Sequence, residues 1–162
     1  MPGILPHHVR QPGGGFTPPA GPTSGQSLVW VGPKLTDLGW STISSPYVNI
    51  GAVFDGASSN LASGAFVDVP IPYACTVILT EMLLSPSGSL VVATSKATYA
   101  AYPVFTPIDG TAPITVASAV KSQNSVLTGW TTSLAAGDIL RFTISTITPL
   151  VNKATVLLKV QK

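Results

Sequence analysis

The sequence predicts an all-β fold, an antiparallel β-sandwich of jelly-roll-like build that carries an extended N-terminal arm. Three observations predict it. Seven short segments rich in β-branched and aromatic residues lie between residues 47 and 161, turn-forming residues separate them about every ten positions, and no segment repeats its apolar residues at the helical spacing of about 3.6. The change of composition near residue 46 divides the chain into an arm, 1–46, and a β-domain, 47–162.

The arm comes first. From Met1 to Gly25 there are six Pro and six Gly, so 12 of 25 residues form turns or coil, and the stretch has no period with which to build a core. From Gln26 to Pro46 apolar residues (Leu28, Val29, Trp30, Leu35, Leu38, Trp40, Ile43) alternate with Gly32-Pro33 and Gly39, and two of the three Trp lie here. Fully extended, about 40 residues reach ~130 Å. Such a segment either stays a disordered tail or orders against a neighbouring subunit, with Phe16, Leu28, Trp30, Leu35 and Trp40 as its anchors.

Beyond Pro46, the segment 47–54 (YVNIGAVF) stops at Asp55-Gly56, a hairpin-type turn pair. The segment 65–69 (AFVDV) is stopped by Pro70 and Pro72. A long strand is expected over 75–84, a turn at Ser85-Pro86-Ser87-Gly88, and a return strand over 89–94. Residues 96–101 allow at most one helical turn. Strands follow at 114–119, 139–147 and 153–161. In the last two, Leu140/Phe142/Ile144 and Val156/Leu158/Val160 alternate with a mixed face, the period of a half-buried antiparallel strand.

Charged residues are only 9% of the chain, eight Lys and Arg against six Asp and Glu, for a formal net charge of +2. A typical soluble domain carries about 25%. The few scattered cations exclude the basic stripe of a nucleic-acid binder. No apolar run is long enough to span a membrane, and the first residues lack the basic and apolar regions of a secretory signal. A single cysteine excludes an internal disulfide framework. The expectation is a protein made in a cytoplasm and buried in a larger assembly.

The chemistry-bearing residues are few. His7 and His8 sit in the Pro/Gly-rich start, where nothing holds a base rigidly, and adjacent residues of an extended chain point opposite ways, which suits metal ligation poorly. Asp37, Asp55, Asp68, Glu81, Asp109 and Asp138 are widely spaced and form no calcium loop. Asp55-Gly56 and Asp109-Gly110 read as turn pairs, with Asp capping local backbone and Gly taking positive φ. Glu81 is the carboxylate best placed for a cleft. No Gly-x-Ser-x-Gly elbow occurs, Gly13-Gly14-Gly15 lacks the ending of a phosphate loop, and Cys75, opening an apolar strand, reads as a small buried hydrophobe. Neither catalysis nor a cofactor or metal is expected.

Five blocks and a closing strand carry a resemblance. In order they are Val69-Pro-Ile-Pro-Tyr-Ala-Cys-Thr-Val-Ile78, Ser87-Gly-Ser-Leu-Val-Val92, Lys96-Ala-Thr-Tyr-Ala-Ala-Tyr-Pro103, Ala119-Val-Lys-Ser-Gln-Asn-Ser-Val-Leu-Thr-Gly-Trp130 and Thr131-Thr-Ser-Leu-Ala-Ala-Gly-Asp-Ile-Leu-Arg-Phe142, with Val156-Leu-Leu-Lys-Val160 closing. This arrangement resembles a β-module recurrent in minor structural proteins of tailed bacteriophages, found in capsid decoration proteins, head fibres, tail fibres and baseplates. The chain departs from that pattern at Ala97, where the module has an acidic residue after the Lys, and its first forty-odd residues match nothing in it. The resemblance implies a virion protein. The short single module, the arm and the poverty in charge favour a decoration or cement protein on the outer head surface, a homotrimer docked on the major capsid protein through the arm. The alternative is a fibre or baseplate component that grips host glycan, with Tyr99, Tyr102 and Trp130 as a surface aromatic patch. Trp130 also reads as a core residue that Gly129 lets turn back under the sheet.

Overall fold

The structure, a computed structural model, describes residues 26–30, 38–42 and 46–162 apart from Pro149. The chain divides into two units, Met1–Ser45 and Pro46–Lys162.

In the first unit, β1 (Gln26–Trp30) and β2 (Leu38–Thr42) pair antiparallel. Two segments of the predicted arm therefore fold back on one another. The register sets Leu28 opposite Trp40 and Trp30 opposite Leu38. The remaining arm residues, Phe16 and Leu35 among them, lie outside the described residues.

The second unit is all-β and antiparallel, as its sequence predicts. Its strands are β3 (Tyr47–Asp55), β4 (Phe66–Pro70), β5 (Cys75–Thr98), β6 (Thr106–Pro107), β7 (Ile114–Asn124), β8 (Ser133–Leu134), β9 (Asp138–Ile147) and β10 (Lys153–Gln161). Hydrogen bonding joins all eight in one curled sheet, ordered β3-β10-β5-β9-β4, with β6, β7 and β8 also on β5. Among the described residues there is no helix, and residues 99–103 are turn.

The sequence predicts a hairpin at Ser85–Gly88, and the structure corrects this. The chain does not reverse there, and β5 runs on as one bent strand of 24 residues. Its first half pairs with β10 and its second with β9, while β7 runs antiparallel along both. The turn chemistry of Ser85-Pro86-Ser87-Gly88 is spent on the bend, where the β7 register slips on either side of Gly88. Likewise Asp55-Gly56 does not close a hairpin, because β3 pairs with β10 and not with β4.

Bulges keep the apolar face inward. Between Lys159 and Val160 the register with β5 skips Ile78, so Cys75 and Val77 before the skip and Thr80, Met82 and Leu84 after it all point into the core. On β9, Ser145 is the corresponding extra residue opposite Val91 and Val92. The fully buried centre includes Met82, Leu90, Leu140, Phe142, Ile144 and Leu158, and such side chains contribute roughly 1.5–3 kcal/mol each. Cys75 is buried as expected, and that burial pushes its thiol pKa up.

Candidate functional site

β4 and β9 are neighbours, and their register sets Asp68 directly opposite Arg141. Both lie on strands whose alternate residues fill the core, so these two polar positions face outward. The guanidinium grips the carboxylate with both prongs, Nε to Oδ1 at 2.7 Å and Nη2 to Oδ2 at 2.7 Å. It is also stacked between two rings, 4.0 Å from the centroid of Phe66 and 4.0 Å from that of Phe105. Arg141 holds the Asp68 carboxyl below its ordinary pKa through that hydrogen-bonded fork, with a smaller contribution from Tyr102.

Tyr102 extends this cluster. Its hydroxyl donates to Asp68 Oδ2 at 3.2 Å, and its ring meets Phe105 edge-on at 5.7 Å. The turn that presents it is held by backbone bonds, Ala101 N–H and Tyr102 N–H both donating to the Thr98 carbonyl and Val104 N–H to that of Ala101. Tyr99, on the same turn, is 83% exposed, Tyr102 is 48% exposed and Phe66 54%. Asp68, Pro70, Tyr99, Tyr102 and Ile139 line an open groove of about 470 Å³.

Of the aromatic patch read from the sequence, the structure brings Tyr99 and Tyr102 together and removes Trp130. Trp130 is only 9% exposed, its indole N–H donates to the Ala112 carbonyl at 2.9 Å, and it packs in the core beside Leu127. Gly129 at φ +82° makes the turn that puts it there. Phe66, Phe105, Asp68 and Arg141 were not singled out as site residues. The available signal was one lone charge in each of two apolar strands, Asp68 in Phe66–Pro70 and Arg141 in 139–147, of opposite sign.

The other carboxylates are structural in their surroundings. Asp138 accepts the Ala135 N–H at 2.9 Å, as a turn-capping residue should, and also pairs with Lys96 at 3.2 Å. Asp55 caps the Ala57 N–H and pairs with Lys153, which together lower its pKa. The positive φ of that turn falls on Ala57 and not on Gly56. Gly110 does take positive φ, but the Asp109 carboxylate turns inward, where it accepts the Thr94 N–H at 2.6 Å, and burial raises its pKa. Glu81 is half-buried on β5, opposite Gln123 of β7 and Leu157 of β10. No cluster of three metal-ligating side chains occurs among the described residues, and His7, His8 and Asp37 lie outside them. Among the described residues no helix is long and apolar enough to cross a membrane.

Of the arm anchors, Leu28, Trp30 and Trp40 stand on the β1–β2 ribbon. What the Tyr99–Tyr102 groove offers chemically is recognition: flat apolar faces, a fixed carboxylate and phenol hydroxyls. The chain matches no protein-family model and no curated protein.

Proposed function

We propose that this chain is a structural protein of a tailed-bacteriophage virion, a capsid decoration protein that docks on the outer head surface through its N-terminal arm and stabilises the shell as a trimer. In this reading the β-domain is a jelly-roll-like module without catalytic activity, and its partners are the major capsid protein and further copies of itself. The observation that carries the reading is the β1–β2 ribbon, whose register pairs Leu28 with Trp40 and Trp30 with Leu38. A two-stranded ribbon is at best marginal alone in water, and one that pairs Leu with Trp gains by seating on a larger surface. The ordered blocks between residues 69 and 160 and the 9% content of charged residues support the same reading.

The test is stoichiometry and attachment. Quantitative mass spectrometry of purified virions should find hundreds of copies per particle. The full chain should bind expanded heads, and a chain starting at Pro46 should not. Equal binding by the shortened chain would make the arm a mere tail and overturn the docking account. The second reading, a fibre or baseplate component that binds host glycan, is favoured by the exposed Tyr99 and Tyr102, and it requires a copy number of a few to a few dozen.

A further inference from the structure

We infer that the groove between Tyr99 and Tyr102 is a saccharide site for a neutral hexopyranose unit. It supplies the site that the fibre reading needs and applies equally to a protein on the head, so it stands or falls separately from docking.

Tyr99 makes no hydrogen bond and no ring contact among the described residues, and it stands 83% exposed on a turn closed by the Ala101 and Tyr102 N–H groups on the Thr98 carbonyl. A large aromatic face left in water beside a fixed neighbour is a surface on which a ligand face can stack. Tyr102 is fixed from the other side, its hydroxyl on Asp68 and its ring against Phe105. The carboxylate between them is immobilised in turn by the Arg141 fork, and Arg141 by the Phe66 and Phe105 rings. The Tyr102 and Asp68 wall of the groove is therefore built in advance of any ligand. Its volume of about 470 Å³ falls within the range of small-ligand clefts, roughly 300–1,000 Å³.

The chemistry of the lining selects the class. Asp68 Oδ2 receives two bonds, from Arg141 and Tyr102, while Oδ1 receives one. A carboxylate oxygen has two acceptor positions, so Oδ1 keeps one for a ligand hydroxyl, and the Tyr102 oxygen can accept another. A hexopyranose presents what this lining needs, C–H faces for tyrosine rings and hydroxyls at its rim for fixed acceptors. Among the described residues no cation lines the groove, and the Asp68 carboxylate in its wall is already paired with Arg141, so a phosphate, uronate or nucleic acid finds no countercharge there. An aliphatic partner surface would leave the acceptors unpaired at a cost.

The experiment is a titration of the full ¹⁵N-labelled chain with cellotriose, maltotriose and chitotriose, with a galacturonate trimer as the anionic control. At least one neutral trimer should shift the amides of Asp68, Tyr99, Tyr102 and Ile139 at millimolar concentration. Tyr99→Ala should weaken that binding at least about fivefold with an unchanged melting temperature, and Tyr99→Phe should retain it. Val126→Ala, exposed elsewhere on the domain, should have no effect. The inference is overturned if no neutral trimer perturbs these amides, if the galacturonate trimer binds as well, or if Tyr99→Ala leaves the binding unchanged. Selective perturbation of the groove by a second copy of the chain or a proline-rich peptide, with no response to the sugars, overturns it as well.

Discussion

Arg141 shows how much one side chain can organise at the surface of a β-domain. Its five donors match a carboxylate and its plane matches two rings, so a lysine, with a point charge and no plane, cannot replace it. Arg141→Lys should destabilise the domain by about 1–2 kcal/mol at neutral pH, read by chemical denaturation. Because the folded-state pKa of Asp68 is lowered, the fork's stabilisation is present above the unfolded value near 3.8 and is lost as pH falls through the folded value. The gap between wild type and Arg141→Lys should therefore narrow in acid. Asp109 behaves with the opposite sign. Its folded pKa is raised by burial, so its contribution is fullest below the unfolded value and is lost as pH rises through the folded one. Asp109→Asn keeps an acceptor for the Thr94 N–H and removes the buried charge. Its melting temperature should exceed that of wild type at pH 7, with the difference shrinking by pH 4, and a lower value at pH 7 would show that the charge itself is needed. Beside it, the buried Thr94 hydroxyl has no partner among the described residues. Thr94→Val conserves shape and should raise stability by up to about 1 kcal/mol, in contrast to the loss usual for a core substitution.

At the scale of strands, the parts legible in the sequence were those whose two faces differ. β9 and β10 alternate cleanly because one face fills the core, and the expected β10 and the observed one are the same residues, Lys153–Gln161. β7 runs five residues beyond its expected end because Val120, Lys121, Gln123 and Asn124 are exposed and leave no apolar stripe. β5 was read as two strands because Ser-Pro-Ser-Gly is turn chemistry, and residue type does not say whether a turn reverses the chain or only bends it. β10 along its first half, β9 along its second and β7 across the bend decided that. The site divides the same way. Tyr99 and Tyr102 were legible as aromatics on a Pro-bounded loop, whereas the Asp68–Arg141 pair depends on a pairing 73 residues apart. Gly51 is another case in which pairing sets the residue. A Cβ there would collide with the Val156 carbonyl of the neighbouring strand. Gly51→Ala should therefore cost clearly more than an exposed strand substitution, which usually stays within about 0.5 kcal/mol, and a denaturation midpoint unchanged from wild type would refute the close approach.

For the whole molecule, the boundary at Pro46 makes a quantitative statement about folding. The Pro46 carbonyl accepts the Lys162 N–H at 2.8 Å, and the next rungs pair Tyr47 with Gln161 and Val48 with Val160, so the second unit is closed by its own first and last residues. Among the described residues, nothing in its sheet ladder comes from before Pro46. A chain beginning at Pro46 should therefore fold alone and melt within about 4 °C of the full chain, the shift that roughly 1 kcal/mol produces in a domain of this size. A chain beginning at Asn49 loses the Pro46–Lys162 bond and the Tyr47 and Val48 rungs, uncovering the end of β10 where Val160 is buried. It should melt lower by a clear margin. Calorimetry of the three chains decides the matter. If the Pro46 chain melts as low as the Asn49 chain, the arm contributes to the stability of the β-domain itself, and a failure of the shortened chain to bind heads would no longer test the proposed docking alone.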